Sequence, residues 1–111
     1  MTSTEAVSGF NTIIHAPNRL RICALLDAVG EAEFSLVQDR LGVSASVLSK
    51  HVSVLVDAGY VTQRRAVRDT RQRVWLALTP AGRTAYADHV AALQAIVGRS
   101  SPESGPRLEP R

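Results

Sequence analysis

Arginine is concentrated in one short segment of this chain of 111 residues. Between residues 64 and 73 the only acidic residue is Asp69, whereas the charged residues from Asp27 to Asp39 are all acidic. Guanidinium groups this close together repel one another and gain free energy when phosphate groups neutralise them. The segment therefore predicts contact with a polyanion, and a solvated segment without function is the alternative. Its arginines are Arg64, Arg65, Arg68, Arg71 and Arg73.

A second pattern is a run of small hydroxyl side chains upstream of the arginines. Leu48, Val52 and Leu55 recur at i, i+4 and i+7, which predicts a helix with one apolar side. Short hydroxyls on the opposite side allow a helix to sit deep in a major groove and to bond base edges or phosphates. An ordinary solvated helix face is the other interpretation. The candidate contact residues are Ser44, Ser46, Ser49, Lys50 and Ser53.

Two helices in series are predicted to position these serines. Ser35 and Gln38 match a capping box, which places a short helix over residues 36–41. Gly42 ends that helix, and Ser44 caps a longer helix that runs to about Ala58. Two helices joined by so short a turn have the spacing of a helix-turn-helix.

The flanking elements complete the predicted fold, which is mainly α with a small β-hairpin. A first helix runs from Pro17 to Gly30. Alternating residues predict strands over 60–65 and 73–79, joined by a polar turn over 66–72. We expect Arg68 and Arg71 at the tip of this hairpin, with Arg64 as a further contact. Thr79 and Pro80 begin a last helix that ends near Gly98.

The last helix has an apolar face wider than packing on one small domain requires. Such a face predicts association of two copies through this helix, and complete burial within one chain is the alternative. The predicted interface residues are Ala85, Tyr86, His89, Val90, Leu93, Ile96 and Val97.

Composition excludes several other classes of function. With 45% apolar and 21% charged residues, the chain has the composition of one globular domain, which we place at residues 10–98 between a flexible start (1–9) and a disordered tail (99–111). No apolar run of membrane-spanning length and no signal peptide is present, so we expect a cytoplasmic protein. Cys23 is the single cysteine and the three histidines fall on different elements, so we expect no metal or cofactor. Paired carboxylates and nucleophile motifs are missing too, and we expect no enzymatic activity.

Several motifs in order carry a family resemblance. The sequence from Asp69 to Arg71, followed by the one from Leu78 to Arg83, resembles the D-x-R and L-T-x-x-G-R signature of the multiple-antibiotic-resistance repressor (MarR) family. The residues from Ser49 to Leu55 and from Ala58 to Val61 are similar to the recognition helix and its exit in MarR-like and arsenic-repressor-like regulators. The short length resembles single-domain winged helix-turn-helix regulators most closely.

The resemblance implies a homodimer that binds double-stranded DNA. The serine-bearing helix would enter the major groove and the hairpin, or wing, would place an arginine in the minor groove. The region before the first helix is shorter than in full MarR proteins, which leaves any small-molecule effector unknown. A winged-helix module that binds an acidic protein partner is the alternative function.

Overall fold

The computed structural model of the protein describes residues 8–100, and within them helices flank a small sheet. The predicted mainly α fold with a β-hairpin is confirmed. Most of the two ends that we expected to be disordered lie outside the described residues. No helix within residues 8–100 is long and apolar enough to cross a membrane. In chain order the elements are α1 (Thr12–His15), α2 (Pro17–Val29), β1 (Glu31–Glu33), α3 (Phe34–Leu41), α4 (Ala45–Asp57), β2 (Val61–Arg68), β3 (Arg71–Leu78) and α5 (Pro80–Ser100).

A single apolar cluster holds these elements together. It takes side chains from every element before α5, and residues of α5 pack against its edge. The predicted apolar side of α4 is confirmed, since Leu48, Val52 and Leu55 are all at most 1% exposed. Removal of this much apolar surface from water is the main stabilising contribution in a domain of this size. The buried members are Ile14, Ile22, Cys23, Leu26, Ala32, Val37, Leu41, Leu48, Val52, Leu55, Val61, Leu76 and Leu78.

The helix-turn-helix is formed by α3 and α4, and it begins differently from the prediction. The N-cap of α3 is Glu33, without a side-chain cap hydrogen bond, so the predicted capping box at Ser35 is wrong. Strand β1 ends immediately before α3, and Phe34 packs against the core, which fixes the helix start two residues earlier than predicted. The turn itself is as expected: Gly42 adopts a left-handed conformation (φ 70°), and Ser44 caps α4.

The sheet is antiparallel with strand order β1-β3-β2. Its hairpin is longer than predicted, because the turn contains only Asp69 and Thr70, with φ values of 55° and 62°. Positive φ at both central positions matches the twist of the paired strands, as in a type I′ turn. The residues that suggested a longer turn instead pair across the two strands. These pairs lie in solvent and are held by backbone hydrogen bonds, so they do not need the alternating apolar pattern of a half-buried strand.

Helix α5 begins against the exit of α4. The Thr79 hydroxyl accepts a hydrogen bond from the Gly82 backbone N–H at 2.8 Å, which confirms the predicted cap. A Cβ atom at Gly82 would overlap the carbonyl oxygen of Tyr60, so only glycine allows this approach. The glycine of the L-T-x-x-G-R motif therefore allows close packing between α5 and Tyr60, which lies just beyond the end of α4.

Candidate nucleic-acid interface

The outer face of α4 carries every hydroxyl and the lysine that the sequence predicted for it. The serines and Lys50 are exposed, on the side of the helix away from the buried leucines. Ser46, Lys50, Ser53 and Asp57 recur at i, i+4, i+7 and i+11, so they form one line along this face. Asp57 was missed by the sequence reasoning, although its spacing in the sequence would have revealed it. Its negative charge repels phosphate, which favours the N-terminal part of α4 for contact with a polyanion.

The first turn of α4 combines capping with exposed donors. Ser44 Oγ accepts a hydrogen bond from the Val47 N–H at 3.2 Å and lies 3.4 Å from Ser46 Oγ. The backbone N–H groups at a helix N-terminus carry a partial positive charge that attracts anions. Ser44 therefore has a structural role here in addition to any contact that it makes.

His51 lies at the edge of this face and connects α4 to the preceding helices. Arg19 donates from Nε to the Ile13 carbonyl oxygen at 2.6 Å, and its Nη1 lies 3.2 Å from His51 Nδ1. Burial, together with the positive charges of Arg19 and Lys50, lowers the pKa of His51. A neutral His51 accepts from the guanidinium, so the residue has a structural role at this edge.

The wing places its arginines on two faces. Cross-strand pairing puts Arg64, Arg68, Arg71 and Arg73 on one face, because directly paired residues point to the same side of a sheet. Arg65 pairs with Val74 and lies on the opposite face. Neighbouring residues of a strand point to opposite faces, so Arg64 and Arg65 cannot both face the same phosphate groups.

Two of these four arginines are held by acidic residues of β1. Arg64 forms an ion pair with Glu31 at 2.8 Å, and Arg73 forms one with Glu33 at 2.7 Å. Two residues of the upstream acidic stretch, Glu31 and Glu33, thus lie beside the wing, which the sequence did not predict. Within residues 8–100, neither Arg68 nor Arg71 has a carboxylate partner.

Trp75 supports the arginines of this face. The guanidinium carbons of Arg64 and Arg68 lie 5.9 Å and 5.7 Å from the centre of a Trp75 ring, which is cation–π geometry. Arg71 lies on the other strand of the hairpin, β3, where it lines a surface hollow of about 280 Å³ with Arg73 and Ser35. Arg68 and Arg71 are therefore the two cations of this face that remain available for phosphate.

The predicted interface on α5 is narrower than the sequence suggested. His89 has no exposed surface in a single chain, so its assignment to a dimer interface is wrong. Ala85 and Tyr86 pack against the core of their own chain. The reason is α1, an element that the sequence analysis did not predict, which contacts α5 and covers this side. Of the predicted interface residues, Ile96 and Val97 are exposed, at 39% and 64%.

Two further candidates for chemistry are a metal site and the thiol of Cys23. Within residues 8–100 no group of three or more His, Cys, Asp or Glu side chains could hold a metal ion. Cys23 is buried, and burial raises the pKa of its thiol to about 11. The thiolate that oxidation requires is therefore disfavoured at neutral pH.

Comparison with known proteins agrees with this geometry. A family model described as a winged helix DNA-binding domain matches residues 18–97. An uncharacterised protein of Methanocaldococcus jannaschii is 26% identical over 81 residues, which cover 73% of this chain and 84% of that protein. A transcriptional regulator homologue from Pyrococcus horikoshii OT3 has a TM-score of 0.76 at 27% identity, covering 79% of this chain and 87% of its own. A MarR-family transcriptional regulator from Silicibacter pomeroyi has a TM-score of 0.60 at 27% identity, over 86% of this chain and 63% of that one.

Proposed function

The chain belongs to the winged helix DNA-binding domain family, and we propose on this premise that it binds specific DNA sequences as a homodimer. Its structural relatives include transcriptional regulators of the MarR family. One observation carries the proposal: an exposed face of serines and a lysine on α4 accompanies two wing arginines, Arg68 and Arg71, without carboxylate partners among the described residues. Small hydroxyls suit base edges and guanidinium groups suit phosphates, so the two elements supply specificity and affinity respectively.

In this proposal the N-terminal part of α4 enters the major groove. Ser46, Ser49, Lys50 and Ser53 contact base edges or neighbouring phosphates, and Ser44 presents the helix N-terminus to the backbone. Arg68 and Arg71 contact the minor groove and its phosphates. Arg64 reaches DNA when a phosphate displaces Glu31, its partner at 2.8 Å.

Dimerisation is proposed to use the exposed part of α5. Val90 and Leu93 are half-buried, and with Ile96 and Val97 they extend one apolar stripe towards the end of the helix. A two-fold axis through this stripe would set two α4 helices about 34 Å apart, one turn of B-DNA. A single domain of 12.0 kDa contacts little DNA, so two copies give the area that tight specific binding requires.

The direct test of function is selection of bound duplexes from a random DNA pool, followed by a gel shift at about 50 mM salt. We expect enrichment of a roughly palindromic site with half-sites about 10 base pairs apart. An unrelated duplex of equal length is the control. If no duplex is retained at this salt concentration, the proposal is wrong, and binding of an acidic protein instead would support the alternative function.

Dimerisation is tested by Val97→Asp, since Val97 is more exposed than Leu93 and its replacement leaves the core intact. An unpaired carboxylate in a closed apolar seam is strongly unfavourable, so we expect a folded monomer with much weaker DNA binding. Ala91→Asp adds the same charge to an exposed position on the far side of α5 and serves as the control. Light scattering that finds the Val97→Asp protein dimeric would place the interface elsewhere.

A further inference from the structure

Asn11 connects three parts of the molecule through its hydrogen bonds. Its Oδ1 accepts from the N–H groups of Ile13 and Ile14, both at 3.0 Å, and so caps α1. Its Nδ2 donates to the hydroxyl of Tyr60 at 2.9 Å, and its backbone N–H donates to His89 Nδ1 at 2.9 Å. One residue therefore links α5, through His89, to Tyr60, which lies just beyond the end of α4.

These contacts hold the neutral ring of His89 in one tautomer. Because Nδ1 accepts from Asn11, the proton of the neutral ring is on Nε2, which lies 3.2 Å from His15 Nδ1 and donates to it. The Phe10 ring packs against both imidazoles, with centroids 4.8 Å from each. Burial, and secondarily the charge of His15, lower the pKa of His89. A protonated His89 has N–H groups on both nitrogens and cannot accept the Asn11 bond.

Tyr60 is where this link meets the serine-bearing helix. Its backbone N–H donates to the Leu55 carbonyl oxygen at 2.9 Å, in the last turn of α4, and its own carbonyl accepts from the Thr79 N–H at 2.9 Å. Gly82 of α5 packs against the same carbonyl. The exit of α4 is thus tied to the start of α5 directly and to the middle of α5 through Asn11.

We propose that His89 is a positioning residue for DNA binding: its neutral ring, through Asn11 and Tyr60, holds the exit of α4 in place relative to α5, and protonation releases this link and weakens binding. The inference rests on the proposed function. The titratable groups around the ring are His15 on α1, the Tyr60 hydroxyl beyond Asn11, and Asp88 beside it on α5. From α2, Asp27 meets α5 nearer its start, where it pairs with Arg83 at 3.7 Å.

The expected pH dependence has a distinctive sign. A histidine whose pKa is lowered in the folded state leaves the native arrangement unaffected at high pH and destabilises it as pH falls below the ordinary histidine range. Protonation of exposed histidines near DNA acts in the opposite direction, because added positive charge strengthens phosphate binding. Weaker binding at lower pH is therefore the direction that protonation of the buried ring predicts.

The test compares the wild type with His89→Gln on the duplex selected at pH 7.5. A glutamine amide oxygen can accept from Asn11 and its NH₂ can donate to His15, but the amide does not titrate. We expect similar Kd values at pH 7.5 and, at pH 5.0 and constant salt, binding by the wild type that is about threefold or more weaker than by the variant. The ratio of the two Kd values removes the contribution of His51, which both proteins share.

Tyr60→Phe provides a second arm, because it removes the hydroxyl that Asn11 contacts while His89 remains. We expect this variant to lose the acid-dependent weakening, whereas a role of His89 in stability alone would leave that weakening in place. Circular dichroism at the assay temperature establishes that all proteins are folded at both pH values. An equal pH dependence in wild type and His89→Gln overturns this inference alone, and absence of any bound duplex at pH 7.5 overturns the proposed function with it.

Discussion

The serine-bearing helix α4 and the arginine-bearing wing are built in opposite ways. One side of α4 is buried in the core, where Leu48 and Leu55 have no exposed surface. The packing of this side fixes the backbone of α4 and therefore the positions from which its outer side chains project. The wing extends from the sheet, and Val67 near its tip is 73% exposed. Arg64 and Arg73 are positioned by ion pairs with Glu31 and Glu33, and the Trp75 ring lies beneath Arg64 and Arg68.

This difference suits two kinds of contact. A hydrogen bond to a base edge requires an accurately placed donor, which a helix packed on the core supplies. A phosphate attracts a guanidinium over a wider range of positions, so a mobile cation on a hairpin is sufficient. Substitutions in the two regions should therefore separate affinity, stability and specificity.

The largest effect is expected from Arg68→Ala combined with Arg71→Ala. In a dimer this removes up to four phosphate contacts, so the slope of log affinity against log salt should become less steep by about 3 to 4. At about 0.1 M salt the affinity should fall by about three orders of magnitude for specific and random duplexes alike. Fluorescence anisotropy across a salt series measures both quantities.

Arg65→Ala is the matched control for this double substitution, because Arg65 lies on the opposite face of the hairpin. For Arg65→Ala the slope of log affinity against log salt concentration should change by less than about 1. Equal changes in the control and in the double variant would mean that the wing contributes only general positive charge.

Truncation of one apolar residue in each region tests the contrast in packing. Leu48→Ala should lower the free energy of unfolding by about 3 kcal/mol, because it leaves a cavity beneath α4. Val67→Ala removes a side chain that is already 73% exposed and should change stability by less than about 0.5 kcal/mol. Urea denaturation measures both, and similar losses would mean that the tip of the wing contributes to the packed core.

The smallest effect is expected from a substitution that changes the sequence specificity of DNA binding. Ser49→Ala should weaken binding to the selected duplex by about 1 kcal/mol, the contribution of one hydrogen bond, and leave random-duplex binding nearly unchanged. Thr84→Ala removes a hydroxyl from an exposed position on α5 and is the control. If Ser49→Ala weakened both duplexes equally, Ser49 would contact phosphate and α4 would share the role of the wing.

Features that depend on neighbouring residues were predictable from the sequence. The spacing of Leu48, Val52 and Leu55 identified the buried side of α4, and Ser44 and Thr79 identified two helix starts. These signals are local, because helix periodicity and capping involve residues within a turn of one another. The error at Ser35 has the same origin: its local cap pattern was overridden by a strand that pairs with β3.

Contacts between distant parts of the chain were decided only by the tertiary structure. Arg73 and Glu33 are 40 residues apart, and Asn11 and His89 are 78 residues apart, yet each pair is in contact. No local pattern specifies which carboxylate meets which guanidinium, or that α1 covers His89, because those contacts depend on how all the elements pack together. The sequence by itself therefore determined the four longer helices, the hairpin and the candidate DNA-contacting side chains, whereas packing decided which of those side chains remain available.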